Sequence, residues 1–238
     1  MRFRLLSAAL LLGACGPITA PMPPPEAISL VSRDPGAVDL AVIGGGSSAM
    51  FVSGSAVVEP YVGGDTSLPV TLHGGSTFKE HHGLARFGVR HRFKQKFSIG
   101  AGLGPTFVFV NPSNLPLEDG SDSERRRWWA PYFDIELSGG KTTKQKRFNV
   151  SFRPGTMVFP DRIGLAVPVG GSWGRRLGRH VTLGVDAWGG ARMLFERPGY
   201  DLSLNPDVIV APDFGASLHL DIHIPRPKGR KPRVFMRF

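Results

Sequence analysis

The chain has 238 residues and a formal net charge of +10, which favours anionic partners over cationic ones. Its single Cys excludes a disulfide framework within the chain, and hydrophobic residues at 41% can cover one face of a sheet without filling a deep globular core. Gly (31) and Pro (21) are frequent but follow no collagen period, and the length suits one all-β domain.

Residues 1–15 read MRFRLLSAALLLGAC. Arg2 and Arg4 form a charged leader and Leu5 to Leu12 an apolar run, the pattern of a secretory signal too short to cross a membrane as a helix. Leu12-Gly13-Ala14-Cys15 resembles the lipobox of bacterial lipoproteins. The resemblance implies cleavage after residue 14, diacylation of the Cys15 thiol and acylation of its new amine. An ordinary cleavage near Ala20 would leave Pro21 after the scissile bond, which is a poor site. Gly16 follows the Cys, where Asp would be associated by the same resemblance with inner-membrane retention. Several acyl chains, at ~0.8 kcal/mol per buried methylene, would hold the N-terminus in a leaflet. Residues 15–36 then form a lipidated tether, of which Gly16 to Glu26 is Pro-rich and extended.

Strands follow. Val38 to Gly44, Gly54 to Val62 and Leu68 to Gly74 are rich in Gly and small residues, with Gly63-Gly64-Asp65 as the turn between the second and third. From Leu84 the apolar period of two sharpens. Phe87, Val89, His91 and Phe93 share one face; Arg86, Gly88, Arg90 and Arg92 share the other. After a tight turn at Lys94-Gln95, Phe97, Ile99, Ala101, Leu103, Phe107 and Phe109 oppose Ser98, Gly100, Gly102 and Gly104. Asn111 to Arg127 has turn formers and no apolar period, so it reads as a loop. Trp128 to Gly139 sets Trp129, Phe133, Ile135 and Leu137 against Tyr132, Asp134, Glu136 and Ser138. A turn over Gly140 to Gln145 leads to Lys146 to Arg153, and Pro154 to Arg162 is expected as a loop. Ile163 to Trp173 and His180 to Glu196 pair through a turn at Gly174 to Arg179. After a loop over Arg197 to Asn205, Asp207 to Ile224 ends in DFGASLHLDIHI, in which every second residue is apolar.

The sum is about ten strands, with eight or twelve as alternatives, each near the roughly 9 to 11 residues that a tilted membrane-crossing strand needs. Short and longer connections alternate, and aromatics gather near strand ends, as in barrels with short periplasmic turns and longer external loops. On these features the chain resembles the small outer-membrane β-barrels of Gram-negative bacteria. The resemblance implies an all-β, antiparallel up-and-down transmembrane barrel over residues 37–224, with both termini periplasmic. Residues 225–238 hold the basic run Pro225 to Arg233 and end at Phe238, as a periplasmic tail or a terminal strand.

The face expected to point inward carries Arg86, Arg90, Arg92, Arg153 and Arg192 with Asp134, Glu136, Asp186, Glu196, Asp213 and Asp221. The near balance of signs favours ion pairs filling a narrow lumen over a selective pore, which would show one sign. His219 and His223, four apart on a strand, lie ~13 Å apart by strand rise and do not share a metal without a bend. His81-His82 reads as a solvated turn. Basic clusters occur at Lys141, Lys144, Lys146 and Arg147, at Arg175, Arg176 and Arg179, and at Arg226, Lys228, Arg230 and Lys231. By the loop argument they face the periplasm, where lipid headgroups or peptidoglycan are the partners; on the outer side lipopolysaccharide would be. No P-loop, HExxH, GxSxG or zinc pattern is present in the sequence, so no cofactor and no nucleic acid is expected.

The expected protein is therefore a non-catalytic outer-membrane barrel with a filled lumen, anchored at Cys15, with a structural or envelope-interaction role. Two alternatives remain: a soluble periplasmic lipoprotein with a lipocalin-like barrel, its greasy face inward and Arg86, Arg90 and Arg92 in solvent, or a barrel enzyme acting on outer-leaflet lipid. Labelled palmitate should enter the native chain, and Cys15→Ser should abolish the label; an unlabelled native chain would remove the anchor.

Overall fold

The computed structural model describes residues 33–48, 52–76, 80–94, 96–110, 127–143, 145–158, 162–196 and 209–227. The signal region with Cys15, the tether before residue 33, the 111–126 and 197–208 connections and residues 228–238 lie outside the described residues.

The described chain is all-β. Its segments are β1 (Val38–Ser47), β2 (Val52–Pro60), β3 (Thr66–Ser67), β4 (Val70–Ser76), β5 (Glu80–Phe93) and β6 (Phe97–Val110). They continue with β7 (Arg127–Thr142), β8 (Lys146–Phe152), β9 (Gly155–Val158), β10 (Arg162–Arg176), β11 (Val181–Glu196) and β12 (Ile209–Ile224). Neighbours pair antiparallel in chain order, β10 pairs β11, and β12 pairs both β11 and β1, so the sheet closes on itself. Closure removes the free edges that an open sheet would present.

Twelve segments make ten staves, because two staves are interrupted. Pro69 separates β3 from β4 and Pro154 separates β8 from β9. Proline brings no N–H to the ladder, which is the local reason for each break. The register survives both. Ser67 faces Arg90 and Val70 faces Phe87 across the first break, while Phe152 faces Val169 and Gly155 faces Ala166 across the second. Pro105 and Pro131 face each other between β6 and β7, and the β5–β6 pairing skips Ala85 and Arg86 at the same height.

Several boundaries differ from the sequence reading. Gly155–Val158 is a strand paired with β7 and β10, not part of a loop over Pro154 to Arg162. Its Thr and Val point outward with little contrast to Gly and Met, so the period of two was masked by one proline. β7 runs to Thr142, which leaves only three residues before β8 begins at Lys146, and β10 runs to Arg176. His81 and His82 are in β5 rather than in a turn; His82 is buried and His81 stacks outward on Phe109.

Alternation sorts the side chains as the period of two requires. On β12, Phe214, Leu218, Leu220, Ile222 and Ile224 are exposed, while Asp213, Ser217 and His219 are buried. On β5, Phe87 and Val89 are exposed and Arg86, Arg90 and Arg92 are each 1% exposed. The lipocalin-like arrangement, with the apolar face inward and these arginines in solvent, is thus the reverse of the one adopted. The interior is not polar throughout. Leu84, Val108, Ala130, Tyr132 and Met157 form an apolar cluster toward the end where β5 begins, and Ala166 packs on Trp188 nearby.

Bulky inward side chains lie over glycines on neighbouring staves. A Cβ on Gly102 would fall 2.3 Å from Arg86 Nε, one on Gly184 2.4 Å from His219, one on Gly155 2.5 Å from the Tyr132 hydroxyl and one on Gly215 2.3 Å from Trp188. Gly104 is tighter still, since its Cβ would sit 1.7 Å from the Ala85 carbonyl oxygen, a backbone atom with no rotamer to yield. Gly104→Ala should therefore destabilise the folded barrel by at least the ~1–3 kcal/mol typical of overpacking. Gly44→Ala, whose Cβ meets nothing within 4 Å, should leave its urea midpoint almost unchanged.

Candidate functional site

The side chains that fill the lumen are the candidate site. Among the described residues, six arginines are buried there: Arg86, Arg90, Arg92, Arg147, Arg153 and Arg192. Five carboxylates are buried with them, Glu59, Asp134, Glu136, Asp186 and Asp213, and Asp221 is partly buried. An unpaired charge in such a place costs several kcal/mol, so the pairing decides whether the barrel is viable.

The larger network joins β2, β3, β5, β7 and the residue after β8. Arg86 donates to both oxygens of Asp134, Nε to Oδ2 at 2.5 Å and Nη2 to Oδ1 at 2.7 Å. Arg90 donates Nε and Nη2 to the two oxygens of Glu136, at 3.0 and 2.9 Å, and Nη1 to Glu59 at 2.8 Å. Arg153 donates to Glu136 at 2.8 Å. Arg92 donates to Glu59 and, at 2.9 Å, to the Ser67 hydroxyl, which itself donates to Glu59 at 2.5 Å. The Arg92 guanidinium also lies 4.7 Å from the centre of the Tyr61 ring. Fork-to-fork pairs of this kind fix orientation as well as charge.

The pairs of Arg86 with Asp134, of Arg90 with Glu136 and Glu59, and of Arg92 with Glu59 each skip a stave. Arg90 and Glu136 both face Gly100, on opposite sides of β6. With Gly100, Gly102 and Gly104 on its inner face, β6 offers no side chain to block the guanidiniums of β5 on their way to β7.

A second network lies across the lumen wall on β8, β11 and β12. Asp186 accepts from the Ser217 hydroxyl at 3.1 Å and contacts His219 Nδ1 at 2.9 Å. His219 Nε2 meets Arg147 Nη2 at 3.1 Å, and Arg147 also pairs with Asp221. Here too glycines clear the path: Arg147 faces Gly174, Gly174 faces Gly184, and Gly184 faces His219. Nearer the other end, Arg192 and Asp213 lie 3.6 Å apart, and Ser48 donates to Asp213 at 2.9 Å.

The expected lumen residues Arg86, Arg90, Arg92, Asp134, Glu136 and Arg153 thus come together in one cluster, Asp186 and Asp221 in another, and Arg192 with Asp213 in a third. The Glu196 side chain lies outside the described residues. Three members were not anticipated: Glu59, Arg147 and Ser67. Glu59 shares a face with Ser53, Ser55 and Val57, so parity could have placed it inside. Arg147 shares its face with Asn149, Ser151 and Arg153 and is buried, which removes it from the solvent-facing basic cluster to which its lysine neighbours had assigned it. Ser67 sits on a two-residue strand that no pattern marks, whereas His219, which shares the inward parity of Asp213 and Asp221, is 1% exposed as that parity requires. His219 and His223 go to different carboxylates, His223 Nδ1 lying 2.6 Å from Asp39. Ser217 bonds Asp186 rather than His219 Nε2, so the Ser, His and Asp do not form a nucleophile–base–orienter chain.

No protein-family model and no curated protein matches the chain. Among solved structures it is similar to the CymD monoaromatic hydrocarbon channel, at 10% identity over 82% of this chain and 90% of that one, with a TM-score of 0.36.

Glu136 receives two arginines and stands 3.8 Å from a third, Arg86. Glu136→Gln should cost roughly 3–5 kcal/mol, the range for removing one partner of a buried ion pair. The measurement is urea unfolding in detergent; a midpoint equal to that of the unaltered chain would mean the network is not what closes the lumen.

Proposed function

We propose that the chain is an integral outer-membrane β-barrel with a structural or envelope-interaction role, a lumen closed by its own side chains, and an anchor at Cys15. The single observation that supports this most is the polarity of the wall. Every outward residue of β6 is apolar, from Phe97 through Ile99, Ala101, Leu103, Pro105 and Phe107 to Phe109. Leu103 and Ile135 are 57% exposed and Leu218 63%. Water gives no reason to turn arginines inward and leucines outward; hydrocarbon does.

Outward charges sit at the ends of the staves, at Lys141, Lys146 and Arg175. Aromatics border the band, Phe93, Phe97, Phe148 and Trp173 toward the turns and Phe107, Phe109 and Trp129 toward the other end, which suits interfacial girdles. Strands of 14 to 16 residues exceed the ~9–11 needed to cross, so they would project beyond the bilayer. Val38 pairs with Ile224, so both ends of the described barrel lie with the short turns; by the loop-length rule that end is periplasmic. The rule rests here on two connections, 111–126 and 197–208, because the one after β9 shortens to 159–161. Outer-membrane lipid is the solvent in this reading, with peptidoglycan or lipopolysaccharide as further partners. A non-catalytic role is supported by the paired, buried state of Ser217, His219 and Asp186.

Leu218→Arg tests the reading, because Leu218 is exposed in either solvent. On lipid it should cost roughly 2–4 kcal/mol near the midplane. On a water-facing surface the same change should stay within about 0.5 kcal/mol. Unfolding in a bilayer with no loss of stability would sink the membrane assignment.

A further inference from the structure

We infer that the turn-side mouth of the barrel holds a binding site for a phosphate group. Arg33, Arg176, Arg179, His180 and His223 converge on one cleft there, with Arg147, Asp221 and Asp39 beneath them. Four guanidiniums face two carboxylates in this cleft, and both carboxylates are engaged. Asp39 contacts the Tyr61 hydroxyl at 2.9 Å, His223 at 2.6 Å and Arg33 at 3.5 Å, and Asp221 pairs with Arg147. Neither Arg176 nor Arg179 has a carboxylate partner among the described residues. The cleft is thus a place where positive charge converges beyond what the chain itself neutralises, and arginine forks recognise tetrahedral oxyanions well.

The floor makes the site more selective. Asp39 and Asp221 line the same cleft, and each carboxylate side chain keeps 13% of its surface exposed. The cleft volume is about 20 Å³, room for one water-sized group. A hydrogen phosphate suits such a lining: one oxygen enters the cleft with its P–OH donating to the Asp221 carboxylate, and the remaining oxygens lie among Arg176 and Arg179. A fully ionised tetrahedral anion such as sulfate has no proton to give Asp221. The phosphate comes either free or as the monoester headgroup of a phospholipid. The inference stands on the cleft and not on which membrane holds the barrel.

The test is calorimetric titration of the full chain in a neutral maltoside detergent with inorganic phosphate. Saturable one-to-one binding is expected, with sulfate weaker. Arg176→Gln with Arg179→Gln should weaken phosphate about tenfold, equal to ~1.4 kcal/mol. Lys141→Gln with Lys146→Gln removes the same charge outside the cleft and should leave the affinity almost unchanged. Absent saturation, sulfate as tight as phosphate, or equal losses in the two double variants would overturn the site. Vesicles of phosphatidylcholine with and without phosphatidic acid then assign the source: competition by phosphatidic acid upholds a headgroup site, and its absence upholds a site for the free ion.

Discussion

The structure depends on one constraint: a charge that leaves water must take a partner with it. Six arginines point into the lumen, and each of the closed networks exists because a lone guanidinium there would be prohibitive. The pairs formed are not between adjacent positions along one strand. The longest join β5 to β2 and to β7 across one intervening stave, and β8 to β12 across two. Backbone hydrogen bonds hold each stave to its neighbours; these ion pairs hold staves that do not touch.

Reach of this kind requires absence of side chains elsewhere. Glycines on the inner faces of β6, β10 and β11 lie under Arg86, Arg90 and His219. In most strands such glycines weaken pairing and leave nothing to pack. Here the side chain that packs on each glycine comes from another stave, so the entropic cost of the glycine is offset by close contact with a guanidinium or an imidazole. The interior is in this sense a shared one, in which large residues on some staves occupy the volume that small residues on others leave.

Much of this was legible in the sequence and some was not, for a common reason. Side-chain parity is written along the chain: the alternation of Phe87, Val89, His91 and Phe93 with Arg86, Gly88, Arg90 and Arg92 is enough to assign faces, and ten staves follow from counting such runs. What alternation omits is which residue stands across from which. Glu59 was readable as inward yet not as the partner of Arg90 and Arg92, 31 and 33 positions away. Arg147 was misassigned because Lys141 and Lys146 are its neighbours in sequence while Asp221, 74 positions on, is its neighbour in space. The apolar end of the lumen was missed for a different reason. Leu84, Val108 and Met157 have inward parity, but an apolar residue on the polar face reads as noise until the closed barrel brings them together.

The networks also bear on register. Alternation constrains it only to even slips, because a slip of two residues returns every apolar side chain to the outer face. A two-residue slip of β6 would preserve the exposed band from Phe97 to Phe109. It would also place Ser98 or Gly102 where Gly100 now lies between Arg90 and Glu136. In one direction a side chain would enter the path of the guanidinium; in the other Gly104, which has no room for a Cβ beside Ala85, would be replaced at that height by Thr106. The hydrophobic pattern thus selects the face and the acid–glycine–arginine rows select the register. This is why the buried charges, which contribute little net stability once desolvation is counted, can still determine which barrel forms.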